Sequence, residues 1–198
     1  MIRALTILLI ATATAFAADK LVKEEVSLTP TNKLTFEHPE RFHYDVVQQP
    51  DDGFRTALRL RCFGADGIST LSFKLFASKD DGGTLKTQTE VDAAVKKMGA
   101  GYVDGSVEKT NAVHHIKHKT GAGAYSVFTD ADLEGVAQLR PGQFRHITLG
   151  LVKVGDFVFT VRGYSNGKDG DDYRAMLTVL EGLSIENKVA EDKPKKNP

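Results

Sequence analysis

Gln143–Leu183, QFRHITLGLVKVGDFVFTVRGYSNGKDGDDYRAMLTVLEGL, is the stretch whose reading decides the fold. Phe144 to Val154 is an apolar-rich run. Gly155-Asp156 follows with Gly first, the chemistry of a two-residue type II′ hairpin turn. Phe157 to Tyr164 is then the return strand. Asp171 to Gly182 reads as a helix: Tyr173, Met176, Leu177 and Leu180 recur at i, i+3, i+4 and i+7, with Asp171 placed to cap.

A two-residue turn fixes register. Val154 must face Phe157, Val152 must face Phe159 and Gly150 must face Val161, and residues directly opposite share a face of the sheet. One face then carries Val152, Val154, Phe157, Phe159 and Val161. The other carries Ile147, Leu149, Leu151, Val158 and Tyr164, with Thr160 and Arg162 among them. A sheet open to water on one side alternates more cleanly than this. The expectation is a central sheet covered on both sides.

Upstream, Met1 to Ala17 reads as a secretory leader. Arg3 supplies the basic start, Ala4 to Ala15 is an apolar run too short to span a bilayer as a mature helix, and Ala15-Phe16-Ala17 fits small-x-small cleavage near Ala17. About 180 of the 198 residues remain, enough for one domain with its own core. The 26 basic residues balance the 26 acidic ones, so no global field favours nucleic acid or anionic lipid. Cys62 is the only cysteine, so an exported chain has no internal disulfide to lean on. No later stretch of the mature chain is apolar enough to span a membrane.

Residues 18–32 are polar and without period and read as a flexible arm. Leu34 and Phe36 begin the ordered pattern, and Phe42 to Gln48 resumes it after Pro39. Pro50-Asp51-Asp52-Gly53 is a turn. Thr56 to Phe63 alternates Leu58, Leu60 and Cys62 against Arg59 and Arg61, and Ile68 to Phe76 puts Leu71, Phe73 and Leu75 on one face. Thr87-x-x-Glu90 is a capping box opening a helix whose stripe is Val91, Ala94, Val95 and Met98. Val107 to Lys119 and Ala124 to Asp130 read as further strands, and Leu183 to Glu186 as a short last one. The tail, 187–198, is rich in Lys, Glu and Pro and reads as disordered. The domain is placed at 33–186.

This order of elements resembles the PsbP/Mog1-like family. The opening Phe36-Glu37-His38-Pro39-Glu40-Arg41-Phe42 looks like its strand–Pro–aromatic start. The Phe157-x-Phe-Thr160 strand with the helix after it looks like its closing unit. Many members place Trp where Phe42 stands. The resemblance implies an α+β fold: a central antiparallel sheet covered by helices on both faces, an α/β/α sandwich. Relatives include an extrinsic subunit of the photosynthetic oxygen-evolving complex, a regulator of a nuclear GTPase and bacterial envelope proteins. It implies a binding or accessory domain and transfers no functional residue.

Four groups of residues bear on chemistry. His114-His115-x-x-His118, on a strand, puts His114 and His118 on one face about 13 Å apart and His115 on the other, too far apart to close a tetrahedral metal site alone. Asp130-x-Asp132-x-Glu134 lacks the Gly and the further oxygens of a calcium loop, so a solvated turn is the preferred reading. Cys62 alternates with Leu58 and Leu60 and reads as an inert core thiol. Arg59, Arg61 and Arg162 are the candidate ligand-binding set: converged, they would hold a carboxylate or phosphate, and dispersed they are structural ion pairs.

The sequence carries no nucleophile elbow, zinc-protease motif, phosphate loop or dinucleotide fingerprint. The expected function is that of an exported, non-catalytic accessory or binding protein of the cell envelope, periplasmic or secreted. It would act on an envelope protein or a small ligand, with no cofactor, metal or nucleic-acid partner. The alternative is a carrier or sensor of a small anion or metal ion. An enzyme is the third reading and needs a His–acid pair, such as His146 with a carboxylate, lining a pocket.

Overall fold

The computed structural model describes residues 20–48, 56–80 and 83–187. In chain order the strands are β1 (Leu21–Ser27), β2 (Asn32–Pro39), β3 (His43–Gln48), β4 (Thr56–Phe63) and β5 (Ser69–Lys79). After helix α1 (Gln88–Gly99) come β6 (His114–Ile116), β7 (Ala122–Thr129), β8 (His146–Val154) and β9 (Phe157–Ser165). Helix α2 (Asp171–Glu181) and β10 (Ser184–Asn187) close the chain. The leader, the Pro50–Gly53 turn and the tail from 188 lie outside the described residues.

The hairpin forms in the register its turn dictates, with Val154 opposite Phe157, Val152 opposite Phe159 and Gly150 opposite Val161. Gly155 takes φ 56 while Asp156 does not enter the positive region, the type II′ pattern. Around this hairpin seven antiparallel strands assemble in the order β3-β4-β5-β9-β8-β7-β6. A second sheet of three, β1-β2-β10, pairs the first and the last described strands with β2.

The main core lies between the two sheets. Leu58 and Leu60, Leu71, Phe73 and Leu75, Phe159 and Val161, and Val152 point into it from the large sheet. Val26, Leu34 and Phe36 meet them from the small sheet, and Tyr173, Met176, Val179 and Leu180 from α2. Thr148 Oγ1 and Tyr173 Oη hydrogen-bond at 2.8 Å, so the Tyr173 hydroxyl is satisfied inside the core. On the opposite face a smaller core packs Val91 and Val95 of α1 on Ala124, Leu151 and Val158. The capping box holds the start of α1: Thr87 accepts from the Glu90 amide and the Glu90 carboxylate accepts from the Thr87 amide.

The expected α/β/α sandwich is not what forms. The chain is dominated by strands in two antiparallel sheets, with two short helices. One side of the large sheet is covered by the small sheet together with α2. On the other side α1 packs mainly on β7 and β8, with Val158 of β9 at the margin of that contact. Seven strands at about 4.8 Å spacing are about 29 Å across, and one helix covers about 10 Å of that. The face of β4, β5 and the Arg162–Tyr164 end of β9 away from the main core therefore stays open, and it is here that the alternation turns polar.

The N-terminal segment read as an arm also forms a strand. Val22, Glu24 and Val26 face inward by alternation, and every residue of β1 pairs with one of β2. Glu24 broke the apolar period there, and it is satisfied by the Tyr44 hydroxyl at 2.8 Å. No helix among the described residues is long and apolar enough to cross a membrane.

Candidate functional site

The open half of the large sheet presents two rows of side chains. In the first, Arg59 on β4 pairs with Lys74 on β5, which pairs with Arg162 on β9. In the second, Arg61 pairs with Ser72, and Ser72 with Tyr164. Directly opposed residues share a face, so all six project from the same side. Each row spans about 10 Å at the backbone, two strand spacings. The alternation that drives Leu58, Leu60, Phe73, Leu75 and Val161 into the core sends these residues outward.

Four cations share this surface. Asp45 of β3 stands opposite Arg59 and pairs with both guanidiniums, at 3.8 Å to Arg59 and 3.0 Å to Arg61. Among the described residues neither Lys74 nor Arg162 has an ion-pair or hydrogen-bond partner. Nε of Arg59 and Nε of Arg61 are buried without a hydrogen-bond partner, although each side chain is about a third exposed. The Arg61 guanidinium also lies 5.4 Å from the centroid of the Phe63 ring, a cation–π contact. Among the described residues one carboxylate thus answers four cations, and across the β4–β5 and β5–β9 ladders the opposed charges are like charges.

A cleft of about 460 Å³ runs along the second row. Arg59, Arg61, Ser72 and Lys74 line one side, and Phe144 and Tyr164 the other. The two rings lie 5.9 Å apart at 40°. Phe144 is carried there by the Pro141-Gly142 turn, where Gly142 takes φ 82 and the Gln143 amide donates to Arg140 O at 3.0 Å. The Arg145 side chain donates to Val136 O and the Asp130 amide to Arg145 O, which folds the long connection back over the sheet.

The structure therefore puts Arg59, Arg61 and Arg162 on one face, with Lys74 between Arg59 and Arg162. Lys74, Asp45, Ser72, Phe144 and Tyr164 are members that sequence reading passed over. The signal for Lys74 was present in the alternation of Ser72, Lys74 and Phe76 against Leu71, Phe73 and Leu75. What was hidden was that β5 lies between β4 and β9.

The other candidate groups disperse. The His114 ring lies 5.2 Å from that of Tyr125, tilted by 31°, His115 bonds Asp92 at 2.9 Å, and His118, beyond the end of β6, bonds Leu183 O at 2.7 Å. Asp130 accepts from the Asp132 amide in a short 3-10 turn, while Asp132 and Glu134 are exposed. Among the described residues no group of three or more His, Cys, Asp or Glu could hold a metal ion. Cys62 is buried and its thiol donates to Asp172 at 3.3 Å; burial first, and then Asp172, push its pKa up.

His146 does meet a carboxylate, but through a hydroxyl. Thr129 Oγ1 donates to Glu108 at 2.6 Å and lies 3.1 Å from His146 Nδ1. Thr129 has one proton to give, so the imidazole carries its own on Nδ1. His146 is 9% exposed, and this chain of contacts ties the 103–109 segment to the end of β7.

A larger groove, about 640 Å³, lies beside the small sheet and α2. Its rim mixes Lys23, Lys117 and Lys119 with Glu37, Glu181 and Glu186, so it presents no field of one sign. Size favours that groove, but charge favours the smaller cleft. Charge decides here: among the described residues the smaller cleft is lined by Arg59, Arg61 and Lys74 with no carboxylate, whereas the larger groove sets three carboxylates among its three lysines. No protein-family model, curated protein or solved structure matches the chain.

Proposed function

We propose that this chain is an exported, non-catalytic binding protein whose working surface is the open face of β4, β5 and β9 and whose ligands are anions. The observation that supports it most is the row Arg59–Lys74–Arg162, three cations on neighbouring strands with one shared carboxylate at its edge. An anion above the row replaces repulsion with attraction. Each contact near 4 Å is worth about 1 kcal/mol in bulk water and a few times that beside a protein surface. The planar fork of Arg suits carboxylate and phosphate oxygens.

Binding rather than catalysis is favoured by the cleft's lining, which among the described residues offers cations and hydroxyls but no carboxylate or imidazole to act as a base. Between a small anion and an envelope protein, the concave cleft favours the small anion. Export rests on the leader read at Met1–Ala17, which supports a periplasmic or secreted location. Cell fractionation with N-terminal sequencing tests that part alone.

The binding part is tested by titrating the purified protein with pyrophosphate and with citrate while following backbone amide resonances. Saturable shifts confined to β4, β5 and β9, lost by about tenfold or more in Lys74→Ala and Arg162→Ala, are the expected result. Shifts spread over the whole surface, or unchanged by either substitution, would overturn it.

A further inference from the structure

The rows of side chains also say what the anion is attached to. This inference rests on the anion-binding reading above. The geometry points to a planar ring bearing an acid group, an aromatic carboxylate, sulfonate or phosphate, as the ligand class of the cleft.

A bare anion uses only the row Arg59–Lys74–Arg162. The cleft does not run over that row alone. It runs along Arg61–Ser72–Tyr164, from cations at one end to an aromatic ring at the other, about 10 Å away. Phe144 adds a second ring beside Tyr164, at a centroid distance inside the range of stabilising aromatic pairs. Both rings are half-buried, so each keeps exposed surface at the cleft. Ser72 Oγ, between the two ends, and Tyr164 Oη, at the aromatic end, have no hydrogen-bond partner among the described residues. Each can donate to a carboxylate, sulfonate or phosphate oxygen. A volume of about 460 Å³ suits a small molecule of this kind and lies within the usual range for such sites. The acid group sits over Lys74 and the two arginines, and the ring packs on Phe144 and Tyr164. The charged end fixes orientation and the aromatic end discriminates.

Two probes of equal charge and similar size separate the claims: benzenetricarboxylate, which is planar, and cyclohexanetricarboxylate, which is not. Both are titrated into the purified protein by calorimetry and by nuclear magnetic resonance. The expected result is about tenfold tighter binding of the benzene compound, the size of one aromatic pair. Phe144→Leu should abolish that preference while leaving the cyclohexane affinity in place. Contacts between ligand ring protons and the rings of Phe144 and Tyr164 in the unsubstituted protein give the same answer if the variant folds poorly. Equal affinities with no ring contacts would overturn the aromatic claim and leave anion binding standing. Failure of both probes to bind would overturn both.

Discussion

Lys74 stands directly opposite Arg162 across the β5–β9 ladder, and on its other side it stands directly opposite Arg59. Like charges so placed destabilise a sheet by roughly 0.2–1 kcal/mol per pair, and no carboxylate partners Lys74 among the described residues. Lys74→Thr removes two such repulsions and adds a residue of good strand propensity. The variant should be more stable than the parent by about 0.5–1 kcal/mol in urea at low salt, a gain that shrinks as salt screens the row. The same change should weaken citrate binding about tenfold. A variant that is no more stable, with binding intact, removes the argument that this row is held open for an anion.

Gly163, next along β9, is fixed by the core rather than by the site. A Cβ there would lie 2.4 Å from the ring of Phe73, which is fully buried and edge-to-face with Tyr173 at 5.8 Å. Gly163→Ala should cost about 1–3 kcal/mol, the usual range for overpacking a core. Phe73→Leu in the same chain should recover part of that loss. A denaturation double-mutant cycle measures the coupling, and a value near zero would show that the ring moves aside freely.

The hairpin was legible because its information is local. Gly155-Asp156 sets the turn, the turn sets the register, and the register sets both faces from Ile147 to Tyr164. Arg59 and Arg61 were legible as one face of one strand for the same reason. The second sheet was not legible, because β10 pairs with β2 about 150 residues away and nothing in Ser184–Asn187 names its partner. The helical layers were overcounted by the same logic. Apolar residues on both faces of the hairpin show that both are covered near β8, but not how far the cover extends. Only the strand order reveals that Arg162, at the margin of that cover, shares a row with Lys74 and Arg59. Tyr164 reads as part of the hairpin's second face and Phe144 as part of its apolar run, and it is the Pro141-Gly142 turn that brings Phe144 beside Tyr164 at a cleft instead.

Cys62 should behave as a core thiol. It is 4% exposed, and its proton is directed to Asp172, which in turn holds Arg41 at 2.8 Å. Burial and the neighbouring carboxylate both oppose the thiolate, the form that reacts. A disulfide reagent at pH 8 should label the native protein at the rate of global or local unfolding, and label it at once in urea. Fast labelling of the native state would mean that α2 opens away from β4.

The contacts at His146 predict a stability profile with two separate acid steps. Burial, and then the neighbouring Lys168, hold the His146 pKa below its ordinary 6.5. Above that value the imidazole is neutral in both states and costs nothing. As pH falls below it, the unfolded chain takes the proton first and folding loses free energy. Glu108 acts lower down. Burial pushes its carboxyl up, but the Thr129 hydroxyl, the Thr129 amide and Lys168 outweigh that and bring it to about 2 from an ordinary 4.5. Its contribution is complete above 4.5 and is lost as pH falls from there towards 2. Urea midpoints measured from about pH 8 to about pH 3 should therefore fall twice, first below neutrality and again below the ordinary carboxylate range. His146→Gln should remove the upper step and spare the lower. Glu108→Gln should flatten the lower step and lower stability near neutrality, because the amide leaves the Lys168 charge without its counter-charge at 2.9 Å. If His146→Gln follows the parent's profile throughout, the imidazole is not held neutral by this contact, and the Glu108–Thr129–His146 chain is packing without a titration behind it.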